Sequence, residues 1–433
     1  MKKRVALVSL GCAKNLVDSE EMLAMFPPSR FELTAKPEGA DLILVNTCGF
    51  ISSAKKESIE TILQMASAKK EGAKLVVTGC LAERYAAELR SSLPEADLVV
   101  PLKDYPNLSN LLMGLLGDEG ISPMNPLNRL LSTSHYSAYL RISDGCNNFC
   151  SFCAIPFIRG RFKSRPYEEI LEEARKLKGI GVKEISLISQ DTTIYGSDLE
   201  GGKDIVSLLK DLEAIGFYSI RLLYLYPSEI SDELIETIAS SKVIAHYFDI
   251  PVQCASDHLL ALMKRHAGQA ETVELFHKIK QKCPDAILRT TLISGFPGET
   301  EEDQKETLQF LKDIAFDKMG CFLYSREEGT ASYSYPDQVK QGIKKKRRAE
   351  LMKLQAQISF QKNKEHVGET MEGLVIGKEK GGERYLLRSY WNAPDDIDGS
   401  ILFSSPSPLK EGDIVKVKIK EALVYDLIGE IVQ

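Results

Sequence analysis

Three cysteines stand within eight residues of one another near the middle of the chain: Cys146, Cys150 and Cys153. Three thiolates so close together suit a cubane iron–sulfur cluster, in which they would ligate three of the four irons. The remaining iron is then free to bind a small molecule, which indicates reactivity as well as electron storage. Zinc sites usually take four ligands in two pairs, so this spacing argues against zinc. The alternative is a set of cysteines that binds nothing.

A second set of three cysteines is dispersed, but each member closely follows a predicted strand. The strands Val5–Leu10, Asp41–Val45 and Lys74–Thr78 are followed by Cys12, Cys48 and Cys80. Continuous apolar strands separated by helical patterns predict a parallel sheet covered on both faces. Ligands of such sheets bind beyond the carboxyl ends of the strands, so we expect the three cysteines to converge there. They would hold a second cluster, again with one free iron; the alternative is three small buried side chains.

The local triplet follows the first strand of a longer β/α series. The candidate strands are Ala138–Ile142, Glu184–Ser189, Ser219–Tyr224, His246–Ile250, Leu288–Ile293 and Met319–Leu323. Six units predict a partial barrel, because a closed barrel of this kind needs eight. Active sites of such barrels lie at the carboxyl face, where the triplet is expected.

Five further residues are candidates for contact with a cofactor at this face: Phe152, Gly295, Gln190, Asp191 and Arg289. Phe152 lies between two of the cysteines, and Gly295 begins a Gly-Phe-Pro-Gly turn after the fifth barrel strand. The polar residues lie in or directly after barrel strands, but each could equally be a structural polar residue. Cys254, Cys283 and Cys321 lack cluster-like spacing and are expected to be inert.

The remaining segments complete a three-part organisation. Region 366–433 alternates short strand patterns with turns and predicts a small five-stranded barrel. The stretch Asn107–Ser134 is rich in Pro, Ser, Asn and Gly and is interpreted as a linker. The basic run Lys340–Arg348 is interpreted as a solvated helix face rather than a nucleic-acid contact.

Composition limits the function classes. The chain is 43% hydrophobic and 27% charged, as in soluble globular proteins, and no apolar run reaches the length of a membrane span. Nine cysteines and no recognisable export signal favour a cytoplasmic protein whose thiols bind metal. The net charge is -6, and region 366–433 carries four of these charges, which favours a basic protein partner over nucleic acid.

These motifs resemble the radical S-adenosylmethionine methylthiotransferases over nearly the whole chain. The matching stretches are Ser9–Asn15, Val45–Phe50, Thr78–Cys80, Cys146–Arg161 and Ser164–Pro166. The resemblance implies an N-terminal cluster domain at 1–120, a radical S-adenosylmethionine barrel, (β/α)6, at 132–365 and a TRAM barrel at 366–433.

By this resemblance the enzyme binds two 4Fe-4S clusters and S-adenosylmethionine. Cys146, Cys150 and Cys153 would hold the cluster that cleaves S-adenosylmethionine to a 5′-deoxyadenosyl radical. Cys12, Cys48 and Cys80 would hold an auxiliary cluster whose free iron takes the sulfur to be transferred. An electron donor and a sulfur donor are also implied.

Two branches of the family differ in substrate. One modifies an adenosine of transfer RNA, and the RimO branch modifies the β-carbon of an aspartate of ribosomal protein S-twelve. Gly11–Asp18 and Arg388–Gly399 are similar to the RimO branch, apart from Trp391-Asn392, where a more acidic pair is expected. The acidic C-terminal region agrees, because ribosomal proteins are basic. Transfer RNA remains the alternative substrate, and a non-catalytic iron–sulfur protein is the alternative from another class.

Overall fold

A computed structural model describes residues 2–395 and 397–432 of the chain. Asp396, which belongs to one of the stretches similar to the RimO branch, lies outside the described residues. The molecule consists of a parallel α/β sheet, a partial barrel and a small closed barrel, in that order along the chain. These are the three architectures that the sequence predicts, and the predicted fold class is confirmed.

The N-terminal sheet is entirely parallel and has the strand order β2-β1-β3-β4-β5. Its strands are β1 Lys3–Ser9, β2 Phe31–Leu33, β3 Leu42–Thr47, β4 Lys74–Gly79 and β5 Leu98–Val100. Its helices are α1 Ala13–Leu23, α2 Ser52–Ala68, α3 Cys80–Ser92 and α4 Leu108–Leu116. The central strand β3 is buried at every position, since helices cover both of its faces.

The register of this sheet aligns the ends of its three central strands. Ser9 of β1 pairs with Asn46 of β3, and Asn46 pairs with Thr78 of β4. The cysteine that follows each strand therefore emerges at one common edge. The predicted convergence of strand ends is thus present in the structure.

The middle region is an open barrel of six parallel strands with additional short elements. Its strands are β6 Ser137–Arg141, β7 Ser143–Asp144, β8 Lys163–Ser164, β9 Glu184–Ile188, β10 Ser219–Leu222, β11 Tyr247–Asp249, β12 Ile287–Ser294 and β13 Lys318–Leu323. Its helices are α5 Ile155–Ile158, α6 Tyr167–Gly179, α7 Ile205–Ala214, α8 Asp232–Ser240, α9 Asp257–Met263, α10 Gln269–Lys282, α11 Glu301–Ile314 and α12 Gln341–Glu365. A bridge between Ile220 and Ile244 joins the β6-β9-β10 and β11-β12-β13 halves.

The C-terminal region is a closed barrel with the strand order β14-β15-β16-β18-β17. Its strands are β14 Thr370–Lys378, β15 Tyr385–Arg388, β16 Ile401–Ser404, β17 Ile414–Ala422 and β18 Leu427–Val432. The loop between β15 and β16 enters the larger barrel. There the buried Asp398 accepts hydrogen bonds from Tyr247 (2.5 Å) and Arg289 (3.2 Å). We call residues 389–395 and 397–399 the barrel plug, because their contacts fill the interior of the larger barrel.

Two interpretations of surface segments hold only in part. The stretch interpreted as a linker contains helix α4, whose Leu108 and Leu112 are buried in the core of the N-terminal domain. The basic run is not wholly solvated, because Lys344 and Arg347 are buried on α12. Arg347 donates to Glu299 (3.0 Å), so α12 is fastened to the barrel by part of this run.

The helices bear on the prediction that no apolar run reaches the length of a membrane span. Within residues 2–395 and 397–432, no helix has both the length and the apolar character needed to cross a membrane.

Candidate functional site

The local triplet lies on a tightly folded loop between β7 and α5. Gly145, directly before Cys146, has a φ of +71°, and a Cβ there would approach the Arg161 carbonyl oxygen to 2.1 Å. Cys146 N–H donates to the Gly160 carbonyl (3.2 Å), and Cys153 N–H donates to the Cys150 carbonyl (3.0 Å). Only glycine fits at position 145, so this residue lets the loop fold back and present its three thiols.

The dispersed triplet is assembled at the carboxyl edge of the N-terminal sheet. Gly11 has a φ of +91°, and a Cβ there would lie 3.0 Å from Cys48 Sγ, so the Cys12 and Cys48 loops are in contact. Cys12 is exposed, Cys48 is partly buried and Cys80 is buried. The three thiols therefore extend from the domain surface towards its interior.

Asn15, on the first turn of α1, links all three cysteine-bearing loops. Its Nδ2 donates to the carbonyls of Leu10 (2.9 Å) and Thr47 (3.0 Å), which precede Cys12 and Cys48 in the chain. Its Oδ1 lies 3.4 Å from Cys80 Sγ. One buried amide thus fixes the relative positions of loops that are far apart in sequence.

Arg159 connects the two triplets. Its guanidinium donates to Asn15 Oδ1 (2.8 Å) and Asp18 Oδ2 (2.7 Å) in the N-terminal domain. It also donates to Asp144 Oδ2 (3.1 Å), two residues before Cys146. Cys80 packs in one cluster with Ala154 and Ile158, which follow Cys153. The segment between Cys153 and Arg159 therefore lies between the two sets of cysteines.

The thiol environments test whether a cluster fits. Burial raises the pKa of Cys48, that of Cys80 to about 12, that of Cys146 to about 11 and that of Cys153 to about 12. Bound iron would reverse this effect, because a coordinating thiol is deprotonated by the metal's charge. Among described residues, only His246, Cys283 and Asp285 bring three possible ligand atoms within 4.8 Å of one another. In neither cysteine triplet do the three sulfur atoms lie that close to one another. This wider spacing agrees with a cubane cluster, which holds its terminal thiolates farther apart than a single metal ion does.

A pair of unsatisfied polar atoms lies at the carboxyl ends of the barrel strands. Gln190 Oε1, after β9, and Tyr226 Oη, after β10, are buried and have no hydrogen-bond partner within the described chain. Buried polar groups are normally hydrogen-bonded, so both atoms point to a polar ligand at this face. Arg265 stacks on Tyr226 (4.1 Å to the ring centroid) and places Nη1 3.6 Å from Cys150 Sγ. No sequence motif marked Tyr226 or Arg265.

The structure brings some of the predicted cofactor-contacting residues close to the local triplet. Asp191 accepts a hydrogen bond from Asn148 (2.9 Å), which lies within the triplet. Phe152 stacks edge-on against Phe296 with ring centroids 6.4 Å apart. Burial raises the pKa of Asp191. Contact of Phe152, Gln190 and Asp191 with a cofactor stays a prediction.

For two other candidates the structure provides different physical reasons. A Cβ at Gly295 would lie 2.1 Å from Lys344 Cγ, so this glycine makes room for α12. Arg289 is paired with Asp249 (2.6 Å) and Asp398 (3.2 Å), and it therefore holds the barrel plug. Cofactor contact by these two residues is not needed to explain either residue type.

Lys14 was not singled out by its type, although it lies in a stretch that carries the family resemblance. It is 7% exposed, and its Nζ lies 3.4 Å from the ring centroid of Tyr224, which follows β10. Burial lowers the pKa of Lys14. It extends from the N-terminal domain to the mouth of the barrel.

Family models match all three regions of the chain. Residues 4–101 match the uncharacterized protein family UPF0004, residues 140–311 match the Radical SAM superfamily, and residues 367–432 match the TRAM domain. Each match falls within one of the three regions described above.

Curated relatives match from end to end. The chain is 44% identical to the protein named ribosomal protein uS12 methylthiotransferase RimO of Acetivibrio thermocellus, over 100% of this chain and 99% of the relative. It is 46% identical to the protein of the same name from Geotalea uraniireducens, again over 100% and 99%.

Solved structures agree on the fold. The radical S-adenosylmethionine methyltransferase TsrM from Kitasatospora setae, solved with cobalamin and a 4Fe-4S cluster bound, has a TM-score of 0.57 at 14% identity. That similarity covers 77% of this chain and 74% of TsrM. At this identity it supports the shared architecture alone.

Proposed function

This chain belongs to the RimO methylthiotransferases of the Radical SAM superfamily, and we propose that it methylthiolates the β-carbon of an aspartate of ribosomal protein uS12. The observation that carries the proposal is the pair of cysteine triplets joined through Arg159. A single cluster would make a radical but would leave the dispersed triplet without a purpose. Two sets joined in this way would allow the radical and the sulfur to be delivered to one substrate atom.

The proposal assigns two 4Fe-4S clusters to the cysteines: one to Cys12, Cys48 and Cys80, and one to Cys146, Cys150 and Cys153. When bound, the clusters and S-adenosylmethionine supply the 5′-deoxyadenosyl radical and the methylthio group. An electron donor and a sulfur donor are then required as partners, and the reducing cytoplasm is the proposed location.

The protein's own contribution is to position these groups and exclude water. Gln190, Tyr226 and Arg265 offer one acceptor, one hydroxyl and one cation at the face where S-adenosylmethionine would bind. Phe152 and the fully buried Phe296 supply an apolar wall next to the local triplet. Such a wall would keep water away from a reactive carbon radical.

Charge supports a protein substrate. Region 366–433 carries four of the six net negative charges of the chain, and a ribosomal protein is basic. A phosphate backbone would be repelled by this region, so transfer RNA is the less favoured substrate. The family-model matches also support the proposed domains 1–120, 132–365 and 366–433.

The test is direct. Reconstituted protein is incubated with purified uS12, S-adenosylmethionine and a reductant, and uS12 is analysed by mass spectrometry. The proposal expects a methylthio group on one aspartate and formation of 5′-deoxyadenosine. Methylthio addition to transfer RNA adenosine instead of uS12 would assign the chain to the other branch. Complete absence of 5′-deoxyadenosine would favour a non-catalytic iron–sulfur protein.

A further inference from the structure

We propose that Lys14 binds the carboxylate of the substrate aspartate and so selects a carboxylate-bearing side chain for methylthiolation. This inference rests on the proposed function and adds a recognition residue to it. The class of ligand is a side-chain carboxylate presented by a protein loop.

The position of Lys14 is the first observation. It lies two residues after Cys12, in the first turn of α1, and is 93% buried. Its ammonium group reaches the Tyr224 ring, at the carboxyl face of the barrel. A substrate atom located between the dispersed triplet and the barrel mouth would therefore pass close to this cation.

The second observation is that Lys14 forms no ion pair or hydrogen bond with a carboxylate among the described residues. Cys12, Asp144 and Asp249 act on it only through electrostatics, Cys12 most strongly of the three, and none of them forms a hydrogen bond with it. Both carboxylates are already engaged: Asp144 with Arg159 (3.1 Å) and Asp249 with Arg289 (2.6 Å). Contact with an aromatic face compensates only part of the loss of water around a cation.

The neighbouring cation Arg159 is not available to bind a substrate carboxylate. Arg159 already donates to Asn15, Asp18 and Asp144, so its donors are largely used within the protein. A buried charge without a partner is costly, and such charges are normally paired. The missing carboxylate partner of Lys14 is supplied most simply by the substrate.

A carboxylate could come from two sources, because S-adenosylmethionine also carries one. Arg265 lies next to the local triplet, with Nη1 3.6 Å from Cys150 Sγ. Lys14 lies two residues after Cys12 of the dispersed triplet and contacts Tyr224 instead of the local triplet. We therefore assign the substrate carboxylate to Lys14.

The test measures two affinities of the cluster-loaded protein. Lys14→Met keeps the side-chain length and removes the charge. We expect its dissociation constant for uS12 to rise about 10- to 100-fold, as for the loss of a hydrogen bond between charged groups. Its dissociation constant for S-adenosylmethionine should not change. Lys14→Arg should retain most of the affinity for uS12.

A variant of the substrate tests the same contact and does not depend on the folding of an enzyme variant. Changing the modified aspartate of uS12 to asparagine should weaken binding to the unaltered protein by a similar factor. Lys14→Met should then cause no further loss. Lys203→Met, which removes an exposed lysine over the Tyr167 ring (4.7 Å), is the matched control and should bind uS12 normally.

Two outcomes would overturn the inference. One is unchanged binding of uS12 by Lys14→Met, and weaker binding of S-adenosylmethionine would then assign Lys14 to the cofactor. The other is additive losses from the enzyme and substrate changes, because independent contacts add whereas paired contacts do not. Failure of the proposed function is distinguishable, since it would appear as the absence of methylthio product with the unaltered enzyme.

Discussion

The two cysteine triplets differ in how the chain assembles them. Cys146, Cys150 and Cys153 share one loop, which Gly145 folds back on Gly160 and Arg161. Cys12, Cys48 and Cys80 come from three loops and meet because the strands before them end at one edge of a parallel sheet. The first set depends mainly on local backbone geometry, and the second depends on the tertiary fold.

This difference has consequences for robustness. A local loop can keep its ligands together when distant packing changes, whereas a dispersed set needs contacts that hold its loops in register. Asn15 supplies such contacts for the dispersed set, and Arg159 joins that set to the local loop. The two sites should therefore respond differently to the same class of substitution.

The largest expected effect separates the two triplets by their chemistry. Cys150→Ser should reduce 5′-deoxyadenosine formation more than about 100-fold, since even changes beyond the ligands cost 10- to 100-fold at metal sites. Cys48→Ser should retain 5′-deoxyadenosine formation and lose the methylthio product. Chromatography for the nucleoside and mass spectrometry for the product measure both. Cys321→Ala, a buried cysteine outside both sites, is the control, and equal loss of the nucleoside in the first two variants would contradict the division of roles.

The second-largest expected effect tests the connection that Arg159 makes between the two cysteine triplets. Arg159→Gln removes the charge that holds Asp18 and Asp144 together, although Arg141 still pairs with Asp18 and maintains the fold. We expect methylthio product to fall about 10- to 100-fold, as for other changes around metal ligands. 5′-Deoxyadenosine formation should be largely retained.

The matched control for this prediction lies in the same loop. Arg161→Gln removes an exposed guanidinium that stacks on Phe149 (4.2 Å) in the local loop and, among the described residues, forms no ion pair with the N-terminal domain. It should leave the ratio of product to 5′-deoxyadenosine unchanged. Electron paramagnetic resonance of the reduced protein would show weaker coupling between the clusters only in Arg159→Gln. Identical coupling in both variants would remove Arg159 from this role.

A smaller expected effect, on cluster retention, distinguishes the dispersed triplet from the local triplet. Asn15→Ala removes the amide that ties the Cys12 and Cys48 loops together and should weaken cluster retention at the dispersed triplet about 10-fold. Asn148→Ala breaks the hydrogen bond to Asp191 at the local triplet and should have less effect on its cluster. Iron content during titration with a chelator measures both. A greater loss from Asn148→Ala would reverse the comparison.

The smallest effect on either site is expected at the barrel plug. Burial lowers the pKa of Lys318 from 10.5 to about 7, while its Nζ donates to the Asp398 carbonyl (3.0 Å). Between these pH values the unfolded chain binds a proton that the folded chain does not, so the free energy of unfolding rises with pH. This stabilising contribution is fully present above pH 10.5, decreases as the pH falls, and is completely lost below about pH 7. Urea unfolding of Lys318→Met should show a flatter dependence between pH 7 and 9, with the iron content of both sites unchanged.

The two interpretations that hold only in part depart from the structure for the same physical reason that makes the dispersed triplet depend on the tertiary fold. Polar residues near Asn107–Ser134 suggested a linker, but the leucines of α4 find apolar partners in the domain core. Lys344 and Arg347 suggested a solvated face, but Tyr324 and Glu299 supply acceptors for them across the barrel. In each case a partner distant in sequence decided the burial. Trp391, the departure from the family pattern, is fully buried beneath Lys318 for the same reason.

The sequence by itself determined the local triplet, the three architectures and the strands after which the dispersed cysteines follow. These depend on spacing and on apolar periodicity, which local chain geometry enforces. Only the tertiary structure decided the roles of particular side chains: Asn15 and Arg159 between the triplets, Arg289 at the barrel plug, and Lys14 without a carboxylate partner among the described residues. Those roles depend on contacts between elements that are far apart in the chain, and periodicity along one element does not specify its distant neighbours.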